Sequence, residues 1–550
     1  MNQQLAIQEL STDVLVLGGG LAGYRAAAAA HAAGSEVVMA FQAHGASQYI
    51  IGFNVPIAHA NPADSPQAYF DDMVKGGYRL NDRQLVNVLA NGAESALAEL
   101  VSIGVPFAMN GDKFAQRHLS GNTYARSVYH PQGIGHIALN TLKAHCSQAG
   151  VIQYAGWKVV SLLKDHGEIV GALLANRHSS ELLAIHAKSV VMAMGGIGAL
   201  YTDSTYPADV SADSYALAIE AGATLIDMEF VQFEPTVVVY PEGAKGMEMP
   251  TAMLGDGAHL LNALGERFMY RYNPAHGELQ IEKAKMALCI QREIDEGRGL
   301  EDQTVLFDTT QVPIDKLETY VNHCKRLRSS GLDPIKELPR IRPAAHSHMG
   351  GIKVDKDYWT GVPGLFAAGE ASSGIHGASR IAGNGASDVI VSGGVAGRSA
   401  AKTKQPTAKR NWSKIHQEAS EKIQVVASQA GKTSAEDVKQ ALRLAMLSSA
   451  GLLRNANGLL DGQAKIRNLQ SEIDAGLRSN SFTDSIRSLE SKNMVLTSEI
   501  IIQAALTRTE SRGAHQRTDY PQMDDLHFLN HIAFDMKEDG CINSRSIPIS

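Results

Sequence analysis

The stretch Asp227–Thr236 reads DMEFVQFEPT and sets Glu234 between a phenylalanine and a proline, at the end of a largely apolar run. A carboxylate in such surroundings is costly unless a partner meets it. Glu234 is therefore a candidate for chemistry: it can accept from an amine, an amide or a hydroxyl, or pair with a cation. A second constellation lies near the start, GGGLAG, Gly18 to Gly23. Gly18 permits a tight turn, Gly20 lets the backbone approach a pyrophosphate, and Gly23 lets a helix pack closely on a strand. Leu21 and Ala22, between them, join the candidate cofactor-binding positions. The N-terminus of a helix beginning here would offer phosphates free N–H groups and a positive dipole end.

The elements around the glycines decide how much that motif is worth. Val14 to Leu17 read as a buried parallel strand, YRAAAAAHAAG as a helix ending at Gly34, and SEVVMAF as a second strand. This strand–turn–helix–strand context is what a G-x-G-x-x-G match requires for dinucleotide binding. The acid expected to end the second strand and hold a ribose is missing, for that region reads AFQ, Ala40 to Gln42. The motif alone does not separate FAD from NAD. Glycine turns after short apolar runs recur at SVVMAMGGIG, Ser189 to Gly198, and at GLFAAGE, Gly364 to Glu370. HGASRIAGNGASD, His376 to Asp388, and a small-residue helix then follow. A nucleotide domain split by an insertion over residues 231–344 accounts for both ends.

Composition bounds the rest. A chain of 550 residues divides into roughly two to four domains, and 44% apolar with 19% charged residues is globular. A net charge of -7 gives no electrostatic reason to expect nucleic acid or an anionic membrane surface. Cys146, Cys289, Cys324 and Cys541 are scattered, with no C-x-x-C, so no iron–sulfur cluster or zinc ribbon is expected within the chain. Sparse cysteines fit a reducing compartment. The first residues lack basic and apolar signal regions, and no run approaches ~18 apolar residues, so the expectation is a cytoplasmic protein without direct membrane insertion.

Taken in order, GGGLAG, DMEFVQFEPT, LLNALGERFMYRY, AHSHMGGI, GLFAAGE, HGASRIAGN and ESRGAHQRTDYP resemble the flavoprotein family of succinate dehydrogenase, fumarate reductase and L-aspartate oxidase across nearly the whole chain. The resemblance implies an α/β, Rossmann-like FAD-binding domain in two segments, 1–230 and 345–404. It further implies an inserted α+β capping domain at 231–344, a helical domain at 405–521 and a C-terminal tail at 522–550. It selects FAD over NAD. It also implies that Asp213 contacts the adenosine half, that Glu370 meets the ribityl chain, and that the backbone from Asn384 through Ala386 to Ser387 meets the isoalloxazine. Many respiratory members bind FAD covalently through a histidine, where this chain aligns Gln48, with His44 earlier in a shortened loop. Noncovalent FAD is the expectation.

The family's chemistry is hydride transfer between flavin N5 and a substrate carbon, with substrate carboxylates clamped by arginine and histidine. Arg380 and His346 match two clamps; His348 is either a structural neighbour or the clamp after a register slip. Three positions depart. Glu234 stands where FHPT would supply a histidine, the TEG motif aligns with MPTAML and leaves Thr251 as its polar contact, and Lys283 falls at the catalytic arginine, with Lys285 two residues on. Lys283, Arg380, His346 and Glu234 are the candidate catalytic set; Thr251, His346, Arg380 and Glu234 are the candidate substrate contacts; no metal is expected. Arg512, His515 and Arg517 either border the cofactor or brace the domains.

The implied activity is an FAD-dependent oxidoreductase acting on a small carboxylate-bearing substrate, with one end held by Arg380 and His346 and the other not a plain carboxylate. Electrons would pass through a ferredoxin-like or iron–sulfur partner. An L-aspartate oxidase-like enzyme is one alternative, and an FAD-binding electron-transfer or assembly subunit without its own turnover is another.

Overall fold

The computed structural model describes residues 6–404, 410–429 and 431–549. The predicted strand–turn–helix–strand is present as Ile7–Leu17, Leu21–Ala32 and Val37–Phe41. The strand Ile7–Leu17 lies between Leu182–Met192 and Val37–Phe41, parallel to both, inside a seven-stranded sheet. Its apolar end, Val14 to Leu17, is buried, as a central parallel strand demands. The edge beyond Val37–Phe41 is Ile152–Ala155, and Leu365–Ala367 adds in parallel to Leu182–Met192. That last strand comes from after the insertion, so the sheet is built from both chain segments, as a split nucleotide domain requires.

The helices Leu21–Ala32 and Asn384–Ala400 cross at very short range because their contact residues are small. A Cβ on Gly393 would lie 2.4 Å from the Ala22 oxygen, and one on Gly397 would lie 2.1 Å from the Ala26 oxygen. The glycine turn and the second segment's helix are thus locked into one unit.

The inserted region has its own four-stranded sheet, in the order Val231–Tyr240, Arg340–His348, Val305–Asp308, His259–Leu261. It also has its own apolar core, around Met249, Met253, Phe268, Met286 and Phe307. The strand Arg340–His348 continues unbroken through the 344/345 boundary, because its antiparallel register pairs Glu234 with Ala344 and Val231 with His348. One strand therefore belongs to the inserted region's sheet and also carries His346 and His348.

Long helices follow at Trp412–Ser428, Ala435–Ser449, Ala456–Asp474 and Phe482–Thr507, in agreement with the apolar spacing of that region. Asn411, Ser434, Asn455 and Ser481 cap them with side-chain oxygens, and Ser434 with Asp437 completes a capping box. The final segment forms a hairpin, His531–Met536 with Ile542–Ile547. Its first strand pairs antiparallel with Leu225–Ile226, which in turn pairs with Gly351–Lys353. The His531 ring, buried, meets Asp227 at 2.6 Å.

Candidate active site

One cavity of about 1690 Å³ runs from the glycine turn to the cap. Gly18, Gly20 and Ala22 line its first part, while Leu21 and Gly23 lie outside it. A Cβ on Gly23 would sit 2.0 Å from the Gly18 oxygen, and Gly18 itself has φ +128°. Gly20 is the N-cap of the helix Leu21–Ala32 and has no side-chain cap bond; the Leu21 N–H donates to Ser47 Oγ at 2.9 Å, and the glycine turn beside it faces the cavity. Asp213, Glu370 and Ala386 line the same space. A Cβ on Gly196 would lie 2.6 Å from the Glu370 carboxyl carbon, so any larger residue there would displace the Glu370 carboxylate. A glycine cradle at a helix N-terminus and an elongated cavity fit a dinucleotide such as FAD.

The polar groups along this space are held by specific partners. Glu370 accepts from the Tyr206 hydroxyl and, at 2.9 Å, from the His348 N–H. Burial pushes its carboxyl up despite these bonds. Asp213 accepts from Lys158 Nζ at 2.5 Å and from Asn493 at 2.7 Å. Asn384 and Ser387 turn their side chains away from the cavity, toward Asn54 and Tyr69: Asn384 Oδ1 accepts from Asn54 and from the Tyr69 hydroxyl, each at 2.8 Å. Ser387 Oγ accepts from the Asn54 N–H at 2.6 Å. Gln48 lines the cavity, and the His44 ring is engaged with the Gly19 carbonyl at 2.9 Å.

At the cap end the structure brings together Glu234, Lys283, His346 and Arg380. Lys283 begins the helix Lys283–Glu293. Its Nζ donates to Glu234 Oε1 and to Glu248 Oε1, each at 2.7 Å. Lys285 points to solvent. Arg380 Nη2 meets His346 Nε2 at 2.9 Å, Arg380 Nε donates to Ser347 Oγ at 3.0 Å, and His346 Nδ1 meets Thr205 Oγ1 at 2.9 Å. Thr251 lines the cavity at the start of the short helix Ala252–Gly255.

Glu248 is the residue that the sequence reading missed. The chain leaves the strand Val231–Tyr240, turns, and pairs back on it, with the Met249 N–H on the Thr236 oxygen and Glu248 bridged to Val237. That return sets Glu248 beside Glu234. Its signal was present: MEMP, like FEPT, holds an acid in an apolar run before a proline.

Electrostatics divide the two carboxylates. Burial lifts Glu234 to about 8, with Glu248 adding repulsion and Lys283 opposing. Burial works against Glu248 as well, but Lys283 and then His346 carry it down to about 2. Burial disfavours the Lys283 ammonium, yet Glu234 and Glu248 outweigh it and raise its pKa. His346 falls to about 3 through burial and the adjacent Arg380, so its ring is neutral. Glu234, Glu248 and His346 each bring a ligand atom within 4.8 Å of the others, but the Lys283 ammonium already bridges the two carboxylates.

His348 is buried between the Tyr215 hydroxyl at 3.2 Å and the Met228 carbonyl at 3.1 Å, a structural role. Arg512, His515 and Arg517 lie outside the cavity. They brace Glu510, the Arg508 carbonyl and Asp519 in a buried network.

A split α/β nucleotide fold with a glycine cradle at one end of the cavity and a cationic clamp under a cap at the other defines a flavin-dependent oxidoreductase. The FAD binding domain family matches residues 13–386, and the fumarate reductase flavoprotein C-terminal family matches residues 439–549. The chain belongs to the fumarate reductase, succinate dehydrogenase and L-aspartate oxidase flavoprotein family. It is 34% identical over 523 residues to a chain of the fumarate reductase (CoM/CoB) of Methanothermobacter marburgensis, covering 93% of this chain and 94% of that one. It is 30% identical over 536 residues to the L-aspartate oxidase of Caulobacter vibrioides, covering 96% and 97%. An E. coli quinol fumarate reductase chain superposes with a TM-score of 0.91 at 26% identity, over 99% of this chain and 97% of that one. Among the described residues no helix is long and apolar enough to cross a membrane.

Proposed function

We propose that this FAD-dependent oxidoreductase acts on a small acid that carries one carboxylate, held by Arg380 beside His346, and a neutral or cationic polar group at its other end. The observation that carries this reading is Lys283 bridged at 2.7 Å to both Glu234 and Glu248 in the cavity that also holds Arg380. A lysine already neutralised by a carboxylate has little charge to spare for a second substrate carboxylate, and Glu248 would repel one. An amide, hydroxyl or ammonium can instead donate to Glu234 or Glu248.

The glycine turn, Glu370 and the backbone of the helix Asn384–Ala400 would hold FAD, whose isoalloxazine supplies two-electron hydride chemistry when bound. Arg380 offers a planar fork that fixes a carboxylate and so orients the reacting carbon. Lys283, kept protonated by its two carboxylates, holds a proton at Nζ for the adjacent carbon. Glu234, protonated over much of the neutral range, can replace that proton across its 2.7 Å contact.

FAD is held noncovalently, since Gln48 offers no imidazole nitrogen and His44 is engaged elsewhere; acid-precipitated, washed protein should lose its yellow colour. Electrons pass to or from a separate iron–sulfur or ferredoxin-like partner, a reading supported by four unpaired, dispersed cysteines. The deciding experiment reduces the flavin anaerobically and adds fumarate. The flavin should stay reduced and be reoxidised instead by an α,β-unsaturated acid bearing an amide, hydroxyl or amine; rapid reoxidation by fumarate would overturn the proposal. An L-aspartate oxidase-like activity is favoured by one feature, the Glu234–Glu248 pair as a seat for an ammonium; aspartate is an electron donor, so it is tested separately as a reductant of the oxidised flavin.

A further inference from the structure

Away from the cavity, three side chains from distant parts of the chain converge. Glu9 stands on the strand Ile7–Leu17, His186 on the neighbouring strand Leu182–Met192, and His416 on the helix Trp412–Ser428. His186 Nε2 and His416 Nε2 lie 2.8 Å apart. The Glu9 carboxylate is 4.0 Å from His186 Nε2 and 3.6 Å from His416 Nδ1. One ligand atom from each residue lies within 4.8 Å of the other two. Both rings are nearly buried, and the Glu9 side chain is 56% exposed. None of the three lines the active-site cavity.

We propose that Glu9, His186 and His416 form a divalent metal site of the zinc class, which pins the first long C-terminal helix to the flavin-binding sheet. Two neutral imidazole nitrogens facing each other can share only one proton, while a cation can use both lone pairs. Among the described residues, neither ring has a hydrogen-bond partner other than its fellow, so their mutual contact at 2.8 Å is the interaction a metal would replace. Trp412 stacks on His186 with ring centroids 3.6 Å apart and planes 10° from parallel, which fixes the ring's direction.

The geometry is close to what zinc needs. Tetrahedral ligands at about 2.0–2.2 Å from the ion stand roughly 3.3 Å from one another. The Nε2 pair would open by about half an ångström, the Glu9 oxygen would approach His186 Nε2 by a little more, and the Glu9 carboxylate, now 3.6 Å from His416 Nδ1, would turn toward the Nε2 side of that ring. Two histidines, one carboxylate and a water on the exposed Glu9 side complete four-coordination, with the solvent face as the entry path.

The test uses the full-length, flavin-loaded protein, stripped with a chelator and titrated with Zn²⁺ against a chromophoric competitor. Wild type should bind one tight equivalent, and H416Q should weaken it by about tenfold or more. E9Q should weaken it less, because both nitrogens remain. Zn²⁺ should raise the melting temperature of wild type but not of H416Q, with flavin content equal in the two. H346Q, in the active-site cluster, should leave the tight equivalent in place. No tight equivalent in wild type, undiminished binding in H416Q, or loss of the equivalent in H346Q would each overturn the assignment.

Discussion

The Glu234 carboxyl makes a prediction that can be worked through in full. Burial and the neighbouring Glu248 raise it from an ordinary 4.5 to about 8, against the pull of Lys283. A carboxyl so raised binds its proton more tightly in the folded chain than in the unfolded one. Below pH 4.5 both states keep the proton and the group costs nothing. Between 4.5 and 8 the unfolded chain releases it and the folded chain does not, so stability falls by about 1.4 kcal/mol per pH unit. Above 8 the cost levels off. E234Q removes this titration while keeping an amide oxygen for Lys283. For a chain of 550 residues unfolding cooperatively, 1 kcal/mol corresponds to about 1 °C in melting temperature. The melting temperature of E234Q minus that of wild type should therefore climb by roughly 1 °C per pH unit, about 3 °C between pH 5 and pH 8. Thermal melts of the two proteins in matched buffers read this directly. A difference that stays flat would mean that Glu234 does not titrate in this window. A flat difference here that falls with rising pH only below about 4.5 would mean that Lys283 holds Glu234 ionised, and that burial is not the dominant influence.

Arg380→Lys keeps the charge but loses the fork that contacts Ser347 and faces His346; kcat/KM for the true substrate should fall by about a hundredfold, mainly through the substrate's carboxylate end. Gly196→Ala drives a methyl into the Glu370 carboxyl, so purified protein should carry much less flavin per chain, measured from visible against protein absorbance. Arg508→Met strands the fully buried Glu229 carboxylate, while Glu510 keeps Arg512; this should cost about 3–5 kcal/mol and lower the melting temperature by several degrees. Since Arg508 does not line the cavity, the bound-flavin spectrum of chains that fold should be unchanged.

Much of the nucleotide-binding half was legible in the sequence because its signals are local. A parallel strand buried on both faces, a glycine turn and a small-residue helix each leave a contiguous mark, as Val14–Leu17, Gly18–Gly23 and the alanine run do. Glu234 was legible for the opposite reason, as a charge in apolar surroundings. Glu248 carries the same mark in MEMP, but its meaning depends on a return strand whose pairing spans only Thr236–Val238 and 246–249, too short to leave a periodic pattern. The sign of the Lys283 shift was also hidden, since it depends on whether one carboxylate or two face the ammonium. The terminal hairpin went unnoticed as well. Its second strand, INSRSI, is mostly exposed and lacks an apolar face, so only its partner, HIAFDM, secures it.

That hairpin has a consequence for how the protein is made. Ile226 pairs with Ala533, and Asp227 receives the His531 ring, across about 300 residues of intervening chain. Leu225–Ile226 leave the ribosome long before the strand that completes their sheet. During synthesis that edge stays open, and Asp227 remains a buried-to-be carboxylate without its histidine. Contacts of such sequence separation form late, and an unpaired strand edge invites chaperone binding or aggregation until they do. The strand His531–Met536 thus completes a sheet begun about 300 residues earlier. A chain that stops short of that strand is left with an exposed edge open to pairing with other chains.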